Sequence, residues 1–269
     1  MASNKREREL ARLRAERQAA RRAAAEAARR KRRNQLVAVL AALAVVAVVA
    51  VVGLTVGGGD DDKDQLAQPS ATPTASTEPG KCSYPEAGAP SKEVRGTPSA
   101  DGPVKKGPTP VTLTTNRGEI ALTLDAVKAP CTVNSFTFLA AQQYFDGTQC
   151  HRLTTEGIYV LQCGDPSASG SGGPGYQFGD ENLTAFGKAN ATGQVIYPRG
   201  TVAMANAGPG TSGSQFFLVY KDSPLAPSYT PFGRITKGLE LLDAVAKAGA
   251  TPTGDGKPNQ AVTLTKVTA

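Results

Sequence analysis

A mainly β domain at the C-terminal end, carried behind a membrane-spanning helix and a Pro-rich tether, is what this sequence predicts. Three observations lead there. From residue 111 onward, short alternating apolar and polar runs are broken by Gly-rich loops, which is the pattern of many short antiparallel strands. Only two stretches of that region carry a helical period. Ahead of it, the uncharged 21-residue run Leu36–Val56 is followed by a segment, 57–110, that holds 9 of the chain's 19 prolines.

Charge is distributed unevenly along the 269 residues. Residues 1–35 hold 13 Lys and Arg against 4 Asp and Glu, while the remainder holds 17 against 19. The net charge of +7 is therefore a local basic tail, and charge alone does not make that tail a nucleic-acid site. Its composition suits a solvated or partly disordered tail, or an anionic-lipid contact, where each Lys or Arg near the surface is worth about 1 kcal/mol. One His in the chain excludes multi-histidine metal sites and argues against a histidine relay. Neither a Gly-x-x-x-x-Gly-Lys-Ser/Thr phosphate loop nor a Gly-x-Ser-x-Gly elbow is present.

The elements follow in order. At 1.5 Å per residue, Leu36–Val56 reaches roughly 30 Å, the thickness of a bilayer's hydrocarbon core. The run Arg29–Arg33 abuts one end and Asp60, Asp61 and Asp62 follow the other. The positive-inside rule then puts the N-terminus in the cytoplasm and all that follows residue 56 outside. Residues 57–110 read as a spacer whose distal part, from Lys81, lies along the domain surface. Cys82, Cys131, Cys150 and Cys163 all fall on the outer side. Three pairings are open to them, as is the alternative that they are small buried apolar side chains.

Within the domain 111–269, Val111–Thr115 and Glu119–Asp125 alternate around Asn116-Arg117-Gly118 and read as a hairpin. Thr132–Gln143 reads as a helix with Thr132 as cap and Val133, Phe136 and Leu139 on one face. Short strands are expected at 150–154, 159–164, 202–206, 215–219 and 232–235. A second helix, Gly238–Ala248, carries Leu239, Leu242 and Val245 inward, and Ala261–Val267 forms a last strand. Two helices and many strands argue a β-barrel or sandwich with helices over its open ends.

Five motifs in this region carry a specific resemblance: Cys150-His151-Arg152-Leu153, Gln162-Cys163-Gly164-Asp165, Met204-Ala205-Asn206-Ala207-Gly208-Pro209, Gly213-Ser214-Gln215-Phe216-Phe217 and Phe232-Gly233. In this order they are similar to the cyclophilins, the cyclosporin-binding peptidyl-prolyl isomerases. The resemblance covers about residues 111–269. It implies an eight-stranded antiparallel barrel capped by two helices, with a substrate groove on its outer face and no cofactor or metal. It implies isomerisation of X–Pro bonds in polypeptides, here in extracytoplasmic proteins as they fold, by a monomer. A non-catalytic module that holds Pro-containing segments is the alternative.

Residue by residue, Arg152 matches the family's catalytic arginine, and Gln162 and Asn206 match groups that hydrogen-bond the substrate backbone. Phe217, Val160, Leu225 and Tyr159 match the walls of the proline pocket, and Tyr229 stands where better-known members have His. Ala205, Ala207, Gln215, Gly170 and Thr211 match the neighbouring subsite. His151 and Phe216, next to site residues on their strands, should face away and act structurally. Three departures stand out. The step from Arg152 to Gln162 is two residues longer than in the common pattern, Val160 replaces a common Met, and Pro224 stands where drug-sensitive members carry Trp.

Overall fold

The computed structural model describes residues 81–102 and 107–269. The basic tail 1–35, the apolar span 36–56 and the spacer as far as residue 80 lie outside the described residues. Among the described residues no helix is long and apolar enough to cross a membrane.

The first hairpin forms where the alternation placed it. Strands β1 (Pro108–Thr115) and β2 (Gly118–Asp125) pair along their whole length, from Pro108 opposite Asp125 to Thr115 opposite Gly118. The Thr115 hydroxyl locks the turn, accepting from the Arg117 amide and donating to the Gly118 carbonyl. Helix α1 (Pro130–Ala141) follows, then β3 (Thr148–Gln149), β4 (Arg152–Thr154), β5 (Val160–Cys163), β6 (Val195–Tyr197), β7 (Thr201–Met204), β8 (Phe216–Val219), β9 (Ser223–Leu225) and β10 (Pro231–Lys237). Helix α2 (Leu239–Ala248) and β11 (Ala250–Thr251), β12 (Asp255–Pro258) and β13 (Thr263–Thr268) complete the order.

The eight-stranded expectation is corrected. Eleven strands form one curled antiparallel sheet in the order β11-β12-β4-β5-β8-β7-β10-β2-β1-β13-β3, and β6 and β9 form a separate ribbon. The additional strands run two to four residues, too short for a period of two to register in the sequence. The run expected at 150–154 is also shorter, since Cys150 and His151 precede β4. Helix α1 starts two residues before the expected Thr132 cap, with Pro130 in its first turn, where a missing N–H costs nothing. Thr132 lies inside the helix. The end is capped from a distance instead: the Glu181 carboxylate accepts from the Cys131 and Thr132 amides and the Thr132 hydroxyl at 2.7–3.0 Å.

The sheet is covered on both faces, and side-chain alternation sorts them. Leu161 and Cys163 of β5, Val202 and Met204 of β7, and Phe216 and Leu218 of β8 enter the main core with Leu113, Ile120 and Phe136. There Phe136 stacks on Phe145 at 4.9 Å and meets Phe216 edge-on at 5.3 Å. The intervening residues, Val160, Ala203, Phe217 and Val219, pack on the opposite face with Val195 and Tyr197 of the ribbon side.

Two disulfides join Cys82 to Cys131 and Cys150 to Cys163. The first fastens the segment before β1 to the start of α1. The Tyr84 hydroxyl donates to the Cys131 carbonyl at 2.8 Å and accepts from the Asn134 amide at 3.0 Å, with its ring edge-on to Tyr176 and Phe178.

Candidate active site

Strand register lines up the central side chains. Arg152 on β4 pairs with Gln162 on β5, Gln162 with Phe217 on β8, and Phe217 with Ala203 on β7. Residues directly opposite in antiparallel strands share a face. A guanidinium, an amide, an aromatic wall and a small residue therefore stand in one row across four strands. The extra two residues of the β4–β5 connection are absorbed in the Thr155–Tyr159 turn without breaking the Arg152–Gln162 register. Gly164, just past β5, has φ of +90° and sits so close to β8 that a Cβ would strike the Ser214 carbonyl.

Arg152 is held as a fork. Its Nε and Nη2 donate to the two carboxylate oxygens of Asp255, both at 2.7 Å, and Nη1 donates to Gln162 Oε1 at 3.3 Å. The Gln162 amide passes the order on to Gln215 Oε1 at 2.8 Å, and the Gln215 amide donates to the carbonyls of Gly170 and Gly172. Sequence reasoning missed Asp255. It lies 103 residues from Arg152, on a four-residue strand, and carries no local signal. The hydrogen bond and charge of Arg152 hold the Asp255 carboxyl below its usual range, and Asp255 raises the guanidinium further. Both side chains remain about half exposed. Asp255→Ala should leave the protein folded and lower kcat/KM on an X–Pro peptide by about fivefold, the upper end for a half-exposed ion pair. An unchanged value in a peptide assay would show that Asp255 does not position the guanidinium.

The side chains clustered beside Arg152 on this face are apolar. Phe217 meets the Tyr229 ring edge-on at 5.6 Å and the Tyr197 ring tilted at 6.4 Å. Val160, Leu225 and Ala205 join them, as does Ile158. Tyr159 does not. Its ring lies against Tyr220 at 6.0 Å with the Lys221 ammonium 4.3 Å above it. Val160 faces Phe217, so its strand neighbour Tyr159 faces the other way.

Asn206 spends its side chain inside the protein. Its amide donates to the Ser228 carbonyl at 2.7 Å and to Asp180 at 3.3 Å. That clamps the 205–208 turn. Thr211 closes the same turn by accepting from the Ala207 amide at 2.8 Å and donating to the Gly208 carbonyl at 2.8 Å. Ala205, Ala207, Thr211 and Gln215 therefore stand together, with Gly170 opposite them through Gln215. The Gly170 amide donates to the fully buried Asp165 at 2.7 Å.

His151 lies against Gly170, where a Cβ added to the glycine would come within 3.6 Å of the His151 ring. Both ring nitrogens are buried. Burial pushes its pKa below the ordinary imidazole value, against the opposing pull of Asp165. The folded state thus holds His151 neutral, and its contribution to stability is lost as pH falls into the range where the unfolded chain protonates. Asp255 acts in the same direction: its stabilising pair is complete above the unfolded carboxylate range and fades on acidification. Neither group, nor Arg152, changes charge between about pH 7 and pH 9. A pH profile of kcat/KM should therefore be flat across that window, and a sigmoidal step within it would reveal a titrating group in control.

Comparison with known proteins agrees with this geometry. The family described as cyclophilin type peptidyl-prolyl cis-trans isomerase/CLD matches residues 110–269. A probable peptidyl-prolyl cis-trans isomerase B of Mycobacterium tuberculosis is 56% identical over 163 residues, covering 58% of this chain and 53% of that protein. The corresponding Mycobacterium leprae protein is 49% identical over 192 residues, covering 68% of this chain and 64% of that one. An Arabidopsis thaliana peptidyl-prolyl cis-trans isomerase is 40% identical over 163 residues, covering 59% of this chain and 94% of the plant protein. The crystal structure of a Cryptosporidium parvum cyclophilin superposes with a TM-score of 0.50 at 28% identity, covering 60% of this chain and 96% of that chain. The chain spans about half to two thirds of the length of the mycobacterial proteins it matches. With the motif row, the Arg152 fork and the aromatic pocket in place, the chain belongs to the cyclophilin-type peptidyl-prolyl cis-trans isomerase family.

Proposed function

We propose that this chain accelerates cis–trans isomerisation of X–Pro bonds in polypeptides, with Arg152 as the catalytic residue. The observation that carries the reading is the Arg152–Gln162–Phe217–Ala203 row, which sets a fixed guanidinium beside an apolar, aromatic cluster. The uncatalysed barrier of about 18–20 kcal/mol comes from sharing of the amide nitrogen's lone pair with the carbonyl. As the bond twists, that lone pair returns to the nitrogen. A guanidinium beside it stabilises the twisted amide over either planar form, which is catalysis by differential binding. The Phe217 pocket grips the ring, and Gln162 and the Asn206 main chain hold the flanking backbone. No covalent intermediate forms. A protease-coupled peptide assay tests the reading: faster relaxation of an X–Pro peptide supports it, and an unaltered rate refutes it.

The domain acts outside the cytoplasmic membrane, on extracytoplasmic proteins, anchored through residues 36–56 with the basic tail against inner anionic lipid. Two disulfides in the domain support an oxidising compartment. Protease added to intact spheroplasts should digest the domain, and protection until the membrane is opened would reverse the topology.

Cyclosporin sensitivity should be reduced. Pro224 on β9 stands beside Leu225 of the pocket, opposite Ile196, and offers neither an indole N–H nor an aromatic face. Loss of one hydrogen bond costs about 0.5–1.5 kcal/mol, and lost aromatic contact adds to it. Inhibition should be weaker by at least about tenfold, roughly 1.4 kcal/mol, than for a Trp-bearing cyclophilin. Pro224→Trp should restore it, and equal inhibition of the two wild-type proteins would contradict the assignment.

A further inference from the structure

A cavity of about 410 Å³ lies next to the prolyl pocket, and one of its walls comes from outside the family domain. Gln162, Ala205, Ala207, Thr211 and Gln215 line one side, Gly170–Gln177 another, and Ala87, Ala89 and Ser91 a third. These last three precede the matched residues 110–269. They are fixed there rather than resting on the surface. The Ala87 amide donates to the Gly175 carbonyl and the Gln177 amide to the Pro85 carbonyl, at 2.9 and 3.0 Å. The Ser91 amide donates to the Gly173 carbonyl at 2.9 Å, and the Ser91 hydroxyl accepts from the Gly173 amide at 2.7 Å. Main-chain pairing of this kind adds an extended strap to the 173–177 loop. Each end of the strap is pinned. The Cys82–Cys131 disulfide and Tyr84 hold one, and the Lys92 ammonium, which donates to the carbonyls of Gln143 and Asp146, holds the other.

Chemistry of the lining indicates what the cavity accepts. Among the described residues its lining contains no Asp, Glu, Lys, Arg or His; its surface is mostly Ala, Gly and Pro with hydroxyls and amides. An ion entering it would lose water and find no opposite charge, which is costly.

We propose that the strap Tyr84–Ser91 forms a specificity wall of this subsite, selecting an uncharged side chain at a substrate residue flanking the X–Pro bond. The inference rests on the isomerase reading and goes beyond it, since it assigns substrate selection to a segment that precedes the family domain. Ala89 is exposed at the cavity's edge, so a charge there is compatible with folding. The test uses the full chain and peptides carrying Ala, Leu, Glu or Lys at each position flanking X–Pro. The wild type should favour Ala and Leu over both Glu and Lys at one of those positions. Ala89→Lys should raise the Glu-to-Ala ratio of kcat/KM at that position by about fivefold, and Ala89→Glu should raise the Lys-to-Ala ratio similarly. Ratios unchanged in both variants would overturn the proposal. Cys82→Ser with Cys131→Ser should flatten the wild-type preference by loosening the wall. Titrating the same peptides by their effect on protein NMR shifts gives the ratios as Kd values. A protein that turns over no peptide, which would refute the isomerase reading, still reports on the wall through those ratios.

Discussion

Arg152→Ala is expected to lower kcat/KM on an X–Pro peptide by about a hundredfold while the domain stays folded. One positioned, charged hydrogen-bond donor aimed at developing electron density is worth on the order of 3 kcal/mol. Nothing else in the row can replace it, because Gln162 and Ala203 carry no charge and Phe217 no donor. The cost to stability should be small: the Arg152 side chain is 41% exposed and its Asp255 partner 55% exposed, so solvent screens their attraction. Arg152→Lys should recover only part of the loss, since an ammonium cannot hold both Asp255 oxygens and Gln162 at once. Steady-state kinetics on variants with unchanged urea midpoints checks this. Full activity in Arg152→Ala would remove the guanidinium from the mechanism.

The largest stability effect should come from the residue next to the pocket. Phe216 is fully buried in the main core, 5.3 Å from the Phe136 ring and 5.8 Å from Phe145, whereas Phe217 faces the pocket side of the same strand. Phe216→Ala leaves a cavity among rings that cannot collapse around it and should cost about 3–5 kcal/mol. Phe217→Leu keeps an apolar side chain on the pocket face and should cost less than Phe216→Ala while raising KM by weakening the grip on the proline ring. Denaturant unfolding of the two variants beside their kinetics separates the roles. A Phe216→Ala protein within about 1 kcal/mol of wild type would mean that β8 is sorted onto the wrong faces.

That sorting is legible in the amino-acid sequence, because two adjacent phenylalanines on a strand must face opposite ways. The same rule places Tyr159 correctly only with the strand register in hand: the longer β4–β5 turn makes Val160, and not its neighbour, the residue facing Phe217. The β1–β2 hairpin and both helices carry their own periodicity and turn residues, so they can be read locally. Strands β3, β6, β9, β11 and β12 cannot, since two to four residues define no period; β3, β11 and β12 extend the ends of the main sheet, and β6 and β9 pair only with each other. The start of α1 escapes a local reading because its cap is Glu181, a carboxylate 49 residues from Thr132, and not a side chain of its own turn. Asp255, the two disulfide pairings and the Tyr84–Ser91 strap share that character. Each is a contact between distant segments that only the folded chain brings together.

The central claim is turnover at the X–Pro bond, beyond mere grip on proline. Two-dimensional exchange NMR on an X–Pro peptide with residues 81–269 measures both at once. Uncatalysed exchange takes tens to hundreds of seconds. The arrangement of Arg152 over the Phe217 pocket predicts cis–trans exchange cross-peaks at substoichiometric protein, and their loss in Arg152→Ala with peptide-induced shifts retained. Shifts without exchange in the wild-type protein would contradict it and leave a module that binds proline without turning it.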